Sequence, residues 1–218
     1  MNRKEYQEAM VQQHRDWTQK HGLNEKALGW GSEEGMLARY NAACQVLDLI
    51  SPPGLVQKTV LDVGCGYGGL LRVAELRFPK RYVGIDLVEE FIHEAARRRK
   101  VDRDAGRTWI AGIDFLVADV FAMEEKFDIV FALGVAWMEG GKEFLRALMQ
   151  KCFDLCEVAT VVSVTHDMTL GEKEGFNLLS TDEFARMAGE VAERWVVRHD
   201  FWPNDLMCYL YKSGWERW

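Results

Sequence analysis

The stretch Val60-Leu61-Asp62-Val63-Gly64-Cys65-Gly66-Tyr67-Gly68-Gly69 constrains this chain more than any other part of it. A short Val/Leu run leads directly into closely spaced glycines, and an apolar, helix-length run comes next. Such a segment reads as a buried strand turning sharply into a helix, with glycines where the backbone needs dihedrals that a side chain forbids. Further short apolar runs recur at helix-length intervals: Tyr82-Val83-Gly84-Ile85-Asp86, Phe115-Leu116-Val117-Ala118-Asp119, Phe127-Asp128-Ile129-Val130-Phe131-Ala132 and Thr160-Val161-Val162-Ser163-Val164. Near-continuous runs of this kind suit strands buried on both faces, which predicts an α/β, doubly wound and mostly parallel sheet.

The ends of the chain differ from this middle. Before residue 59 no strand is evident, and Tyr6, Met10 and Trp17, then Met36, Leu37, Tyr40, Cys44 and Leu47, recur at helical spacing. Two helices are expected, separated by the breaker-rich His21-Gly22 and Leu28-Gly29-Trp30-Gly31, with Ser32 as a cap and Pro52-Pro53-Gly54 closing the segment. Pro79 is expected to stop the helix after the glycine loop, and Ser180-Thr181-Asp182-Glu183 reads as a capping box. Near the end, two runs flank Trp202-Pro203-Asn204-Asp205. Parallel neighbours need a long crossover, so these two must form an antiparallel hairpin. The expected division is a helical extension or lid over residues 1–58 and a core over 59–218.

Length and composition bound the rest. A chain of 218 residues, 48% hydrophobic and 28% charged, suits one core without staples. A net charge of −7 repels polyanions at long range, so nucleic acid is not the default partner. The odd set Cys44, Cys65, Cys152, Cys156 and Cys208 is neither a disulfide framework nor a zinc motif, and a reducing cytoplasm is the expected compartment. Cys152 and Cys156, four apart, are expected on one helix face in the core. No run is long and apolar enough for a membrane span, and no export signal is read. No His/Cys/Asp/Glu grouping has metal-ligand spacing, and the oligomeric state is left open.

Gly64-x-Gly66-x-x-Gly69 literally matches the dinucleotide fingerprint, and alone it is a weak signal. Its weight comes from two acids further along the chain. Asp86 and Asp119 each end a strand on the same side of the sheet, where carboxylates accept hydrogen bonds from a nucleoside. Asp62 selects among nucleosides: its carboxylate repels a pyrophosphate and attracts a ligand carrying an ammonium and a sulfonium. S-adenosylmethionine has both charges and no phosphate. A loop-bracing role for Asp62 is compatible with that one.

Through these four motifs the chain resembles the class I S-adenosylmethionine-dependent methyltransferases over about residues 59 to 212. More specifically, Leu28-Gly29-Trp30 and His199-Asp200-Phe201-Trp202-Pro203-Asn204-Asp205 look like small prokaryotic and phage members of unassigned substrate. The resemblance implies a Rossmann-like, seven-stranded sheet whose terminal antiparallel strand inserts beside the fifth. It also implies that the backbone of Gly64, Cys65 and Gly66 lines the methionine moiety with Asp62 near its amino group. Asp86 would hold the ribose, Leu87 would flank the adenine, Asp119 would bond the adenine amino group with Val120 beside it, and Leu133 would border the sulfonium. S-adenosylhomocysteine is then the product.

Trp30 and Arg39 join the cofactor set on separate grounds, Arg39 as a partner for the methionine carboxylate against the plainer reading of a solvated helix face. On the acceptor side, Glu139, His166 and His199 come after strand ends, and each histidine is a candidate general base against the plainer reading of a hydrogen-bonded structural residue. Trp137 and Trp202 are expected near the site. The basic run Arg97-Arg98-Arg99-Lys100 with Arg103 and Arg107 suits a solvated helix end better than a nucleic-acid handle. The leading expectation is methyl transfer to a small-molecule acceptor. The alternatives are a nucleic-acid or protein acceptor, an NAD(P)-dependent oxidoreductase, and a cofactor-binding module without chemistry.

Overall fold

The computed structural model describes residues 1–48, 57–74, 80–107, 112–168 and 174–213. Two helices open the chain, α1 (Arg3–His21) and α2 (Glu33–Cys44). The first is started by a reciprocal capping box between Asn2 and Glu5, and the second by Ser32, whose side chain accepts from the Gly35 N–H at 3.1 Å. Between them, Glu25–Leu28 forms a single 3-10 turn ended by Gly29 in the left-handed conformation.

The sheet contains β1 (Thr59–Val63), β2 (Arg81–Asp86), β3 (Ile113–Val117), β4 (Phe127–Leu133), β5 (Cys156–His166), β6 (Leu178–Leu179), β7 (Arg194–Arg198) and β8 (Asp205–Tyr211). Its order is β3-β2-β1-β4-β5-β8-β7, with the two-residue β6 added at the upper end of β5. Strands β1 to β5 pair in parallel, while β8 runs antiparallel between β5 and β7. The expected seven-stranded path with its inserted terminal strand is therefore present, lengthened by β6.

Helices α3 (Leu71–Ala74), α4 (Glu89–Asp104), α5 (Lys142–Leu155) and α6 (Thr181–Val191) connect the strands. On one side of the sheet α5 and α6 enclose a core with Leu145, Leu148, Phe184 and Met187, and Tyr6 and Met10 of α1 belong to that core. On the other side Met36 and Tyr40 of α2 pack with Leu70 and Leu71 against Val60, Phe131 and Tyr209. The amino-terminal helices thus complete both cores. Tyr6 Oη donates to the Met138 carbonyl at 2.8 Å, Tyr211 Oη donates to the Val46 carbonyl at 2.9 Å, and Tyr209 Oη donates to Ala42.

Three local expectations change. The third strand is Ile113–Val117 and not Phe115–Asp119, and it lies at the sheet edge with Leu116 and Val117 exposed, because a border strand has a neighbour on one side only. Cys156 is the first residue of β5, since α5 ends at Leu155; both Cys152 and Cys156 are nevertheless buried. At α6 only the Ser180 half of the capping box forms, with Glu183 N–H donating to Ser180 Oγ at 3.2 Å, while the Glu183 carboxylate binds Lys142. Pro52-Pro53-Gly54 and Pro79 lie outside the described residues.

Candidate active site

The parallel register of β1 and β2 sets Val63 beside Ile85, and the Ile85 carbonyl accepts from both Gly64 N–H at 2.8 Å and Cys65 N–H at 3.0 Å. That pair of bonds bends the chain out of the sheet. Gly64 and Gly66 take φ of 70° and 53°, in the left-handed region that glycine enters without cost. A Cβ at Gly64 would stand 2.7 Å from Val135 Cγ2, and one at Gly66 would stand 2.9 Å from Leu28 Cδ2. Gly69, the third glycine of the literal fingerprint, instead faces the Tyr40 hydroxyl and serves packing.

Asp86 ties the loop down, with Oδ2 accepting from Gly66 N–H at 3.0 Å and Oδ1 from Val88 N–H at 2.9 Å. Burial pushes its carboxyl up, and those two backbone donors oppose the push. Asp119 caps the turn Val120–Ala122 through Phe121 N–H at 3.0 Å and accepts from Gln7 Nε2 at 3.1 Å. Asp62 receives the Tyr82 hydroxyl; burial lifts its carboxyl to about 7, against the pull of that hydrogen bond.

These groups surround one cavity above the carboxyl ends of β1, β2 and β4, the usual ligand position in open α/β sheets. Trp30, Asp62, Gly64, Cys65, Gly66, Asp86, Leu87, Asp119, Val120 and Leu133 all line it. Among its described lining residues are three aspartates and neither lysine nor arginine. Phosphate has no cationic partner there, whereas a cationic nucleoside cofactor meets glycine backbone, strand-end carboxylates and apolar walls. The residues therefore fit S-adenosylmethionine by charge and shape of donor set. Free space in the cavity is about 100 Å³, and Leu28 packs over Gly66.

Arg39 is the one member of the expected cofactor set that does not line this cavity. It is buried in an ion pair with Asp205, with its guanidinium carbon 4.0 Å from the centre of the Trp30 ring. The solvated reading is therefore corrected: Arg39 is buried. Its partner sits at the start of β8, 166 residues away in sequence, which helical spacing cannot reveal.

The two histidines expected as acceptor-side bases lie outside this cavity. His166 Nδ1 accepts from Met168 N–H at 2.8 Å and its Nε2 meets Thr181 Oγ1 at 3.1 Å, tying β5 to the start of α6. His199 is exposed, its ring 5.8 Å from that of His166, and Glu139 is exposed. Neither histidine touches the cavity. The histidine that does is His14. Its Nδ1 bonds the Ala27 carbonyl at 3.0 Å, so that nitrogen carries the proton, and Nε2 is left to accept from Trp137 Nε1 at 3.4 Å. Burial lowers its pKa, in keeping with this neutral tautomer.

Gln7, Met10, Val11 and His14 form an i, i+3, i+4, i+7 stripe of α1 along the cavity. Apolar periodicity alone missed it because two of its four members are polar. In the basic run, Arg97 and Arg98 both bind Glu94, Arg98 also stacks on Tyr67, and Arg107 binds Asp102, so these cations are engaged within the protein.

Residues 60–158, somewhat less than half of the chain, match the model of a family described as "Methyltransferase domain". A probable fatty acid methyltransferase of Pseudomonas putida is 28% identical over 145 residues; the match covers 66% of this chain and about a third, 34%, of that protein. Among solved structures, the N-methyltransferase of Bradyrhizobium japonicum WM9 in complex with S-adenosyl-L-homocysteine superposes with a TM-score of 0.65 at 15% identity, covering 96% of this chain and 99% of that one. Magnesium protoporphyrin IX methyltransferase from Synechocystis PCC 6803 with bound S-adenosylhomocysteine gives 0.60 at 19% identity, covering 82% and 84%. At these identities the structures speak for the fold.

Proposed function

We propose that the protein is an S-adenosylmethionine-dependent methyltransferase that transfers the methyl group in line to a small-molecule acceptor. The observation that carries this reading is the composition of the cavity: three aspartates, the positive-φ glycines Gly64 and Gly66, and no lysine or arginine among its described lining residues. A nicotinamide dinucleotide would bring its pyrophosphate against Asp62 and Asp86 without a counter-charge. S-adenosylmethionine brings an ammonium and a sulfonium instead.

In this assignment Asp62 faces the amino group, Asp86 the ribose hydroxyls and Asp119 the adenine amino group, the last taking over the bond now made by Gln7. The cofactor supplies the activated methyl group. The chain's own task is alignment and exclusion of water, which α1, Leu28 and Trp30 serve from above the sheet. A small acceptor agrees with two similar proteins, magnesium protoporphyrin IX methyltransferase and the probable fatty acid methyltransferase, and with a basic run already engaged internally. Five free, buried cysteines suit the reducing cytoplasm we assign to it, and no helix among the described residues is long and apolar enough to cross a membrane.

Titration calorimetry with S-adenosylhomocysteine tests the reading. Micromolar binding, lost in Asp86→Ala and absent with NADH, is expected; NADH binding with no S-adenosylhomocysteine binding would overturn it.

A further inference from the structure

A second cavity of about 220 Å³ lies beside the cofactor cavity and joins it at Leu28, Trp30 and Gly134. Four indoles wall it: Trp17, Trp30, Trp137 and Trp202. Three of them pack closely over glycines. A Cβ at Gly29 would come within 3.0 Å of the Trp17 ring, one at Gly134 within 3.2 Å of Trp30, and one at Gly35 within 2.8 Å of Trp202. A side chain at Gly35 would force the Trp202 ring to shift, and one at Gly29 or Gly134 would crowd Trp17 or Trp30, so glycine at these positions lets the rings pack closely. Trp17 and Trp137 stack on one another with ring centres 4.9 Å apart.

Charge in this chamber cancels. Its charged lining residues, among those described, are Arg39 and Asp205, and they bind each other. A charged guest would have to leave water without a free counter-ion, whereas a neutral aromatic guest gains stacking against rings already held in place. The volume sets a size: an apolar cavity of roughly 150 Å³ admits one benzene ring, so 220 Å³ suits one ring or two fused rings.

One polar group is left incomplete. Ser163 on β5 lines the chamber and pairs in register with Leu133, the last residue of β4, where the two cavities meet. It is 2% exposed, and its Oγ has no hydrogen-bond partner among the described residues. Buried hydroxyls are nearly always satisfied, so an orphan hydroxyl on a residue that lines a cavity suits completion by a ligand's polar atom.

The geometry points to this chamber as the methyl-acceptor site, taking a neutral, planar, hydroxyl-bearing aromatic molecule of one or two rings whose hydroxyl oxygen bonds Ser163 Oγ. This rests on the assignment of the protein as a methyltransferase. In the transfer, a lone pair on that oxygen forms the new bond to the methyl carbon. The carbon–sulfur bond breaks with its pair retained by sulfur, which becomes a neutral thioether, and the hydroxyl proton passes to water. Ser163 positions the nucleophile at the border with the cofactor and is not itself the base.

Fluorine NMR of the protein saturated with S-adenosylhomocysteine tests the assignment, using 6-fluoro-2-naphthol as probe and 4-fluorocyclohexanol and 4-fluorobenzoate as non-planar and anionic controls. The naphthol is expected to bind at least tenfold more tightly than either control. Ser163→Ala is expected to weaken it about tenfold, the usual loss for a hydrogen bond to a buried group, while Ser163→Thr retains most of the affinity. Calorimetry with S-adenosylhomocysteine on the same variant samples is expected to be unchanged, which separates a lost contact from a lost fold. Equal binding of the cyclohexanol or benzoate, or naphthol binding indifferent to Ser163→Ala, overturns the chamber while leaving the methyltransferase reading intact. Failure of S-adenosylhomocysteine to bind the unaltered protein overturns that reading instead.

Discussion

Asp62→Asn isolates the electrostatic cost built into the cofactor cavity. Burial raises the Asp62 carboxyl from 3.8 to about 7, so the folded protein holds a proton there that the unfolded chain has already released. Stability must therefore fall as pH rises from about 4 to about 7, because across that window the native state binds more protons than the unfolded one. Three units at about 1.36 kcal/mol each set an upper figure of about 4 kcal/mol. The asparagine amide oxygen still accepts the Tyr82 hydroxyl, so the substitution removes the charge and keeps the contact. Guanidinium unfolding of both proteins at intervals from pH 4 to 8 is the assay. The two are expected to coincide near pH 4 and to separate by about 2–4 kcal/mol in favour of the variant at pH 8, the lower figure allowing for local relaxation. The same substitution should weaken S-adenosylmethionine. A cationic ligand draws Asp62 into its ionised form, so affinity in the unaltered protein should climb as pH passes through 7, and in the variant it should stay flat. Parallel stability curves for the two proteins would refute the reasoning.

Three further outcomes are expected. In Gly64→Ala a left-handed backbone of about 1–2 kcal/mol strain and a Cβ 2.7 Å from Val135 Cγ2 should combine to lower the melting temperature and abolish S-adenosylhomocysteine binding; calorimetry showing full affinity would contradict the role given to this turn. Tyr6→Phe removes the 2.8 Å bond to the Met138 carbonyl and should cost about 1 kcal/mol in guanidinium unfolding, and an unshifted midpoint would mean that α1 docks by packing alone. For His14 the folded pKa lies below the ordinary 6.5, so its stabilising contribution is complete above 6.5 and drains away as pH falls below it; a proton NMR titration of the imidazole should show a midpoint under 6.5, and one above it would contradict the neutral, buried imidazole.

The strands were legible because β1, β2, β4 and β5 are buried on both faces and so must be nearly continuous in Val, Ile, Leu and Phe. At β3 the same logic failed by two residues: an edge strand carries no such demand, and Ala118 and Asp119 leave the sheet to cap the next turn. The hairpin could be inferred from loop length alone, since so few residues cannot make a parallel crossover.

Local chemistry marked the lining of the cavity for a related reason. Glycines at Gly64 and Gly66 and acids at the ends of β1, β2 and the turn after β3 act through backbone and strand position, both of which are written in consecutive residues. What consecutive residues do not carry is which distant side chain a group will meet. Arg39 finds Asp205 across 166 positions, His14 and not His166 reaches the cavity, and four tryptophans drawn from separate segments close on one chamber. By itself the sequence determined the α/β class, the glycine turn and the acids around it, because short-range periodicity and dihedral freedom dictate them. Only the tertiary structure decided which indoles become walls, which charges cancel and which hydroxyl is left for a ligand, because those depend on contacts between elements whose spacing along the chain is unrelated to their spacing in the fold.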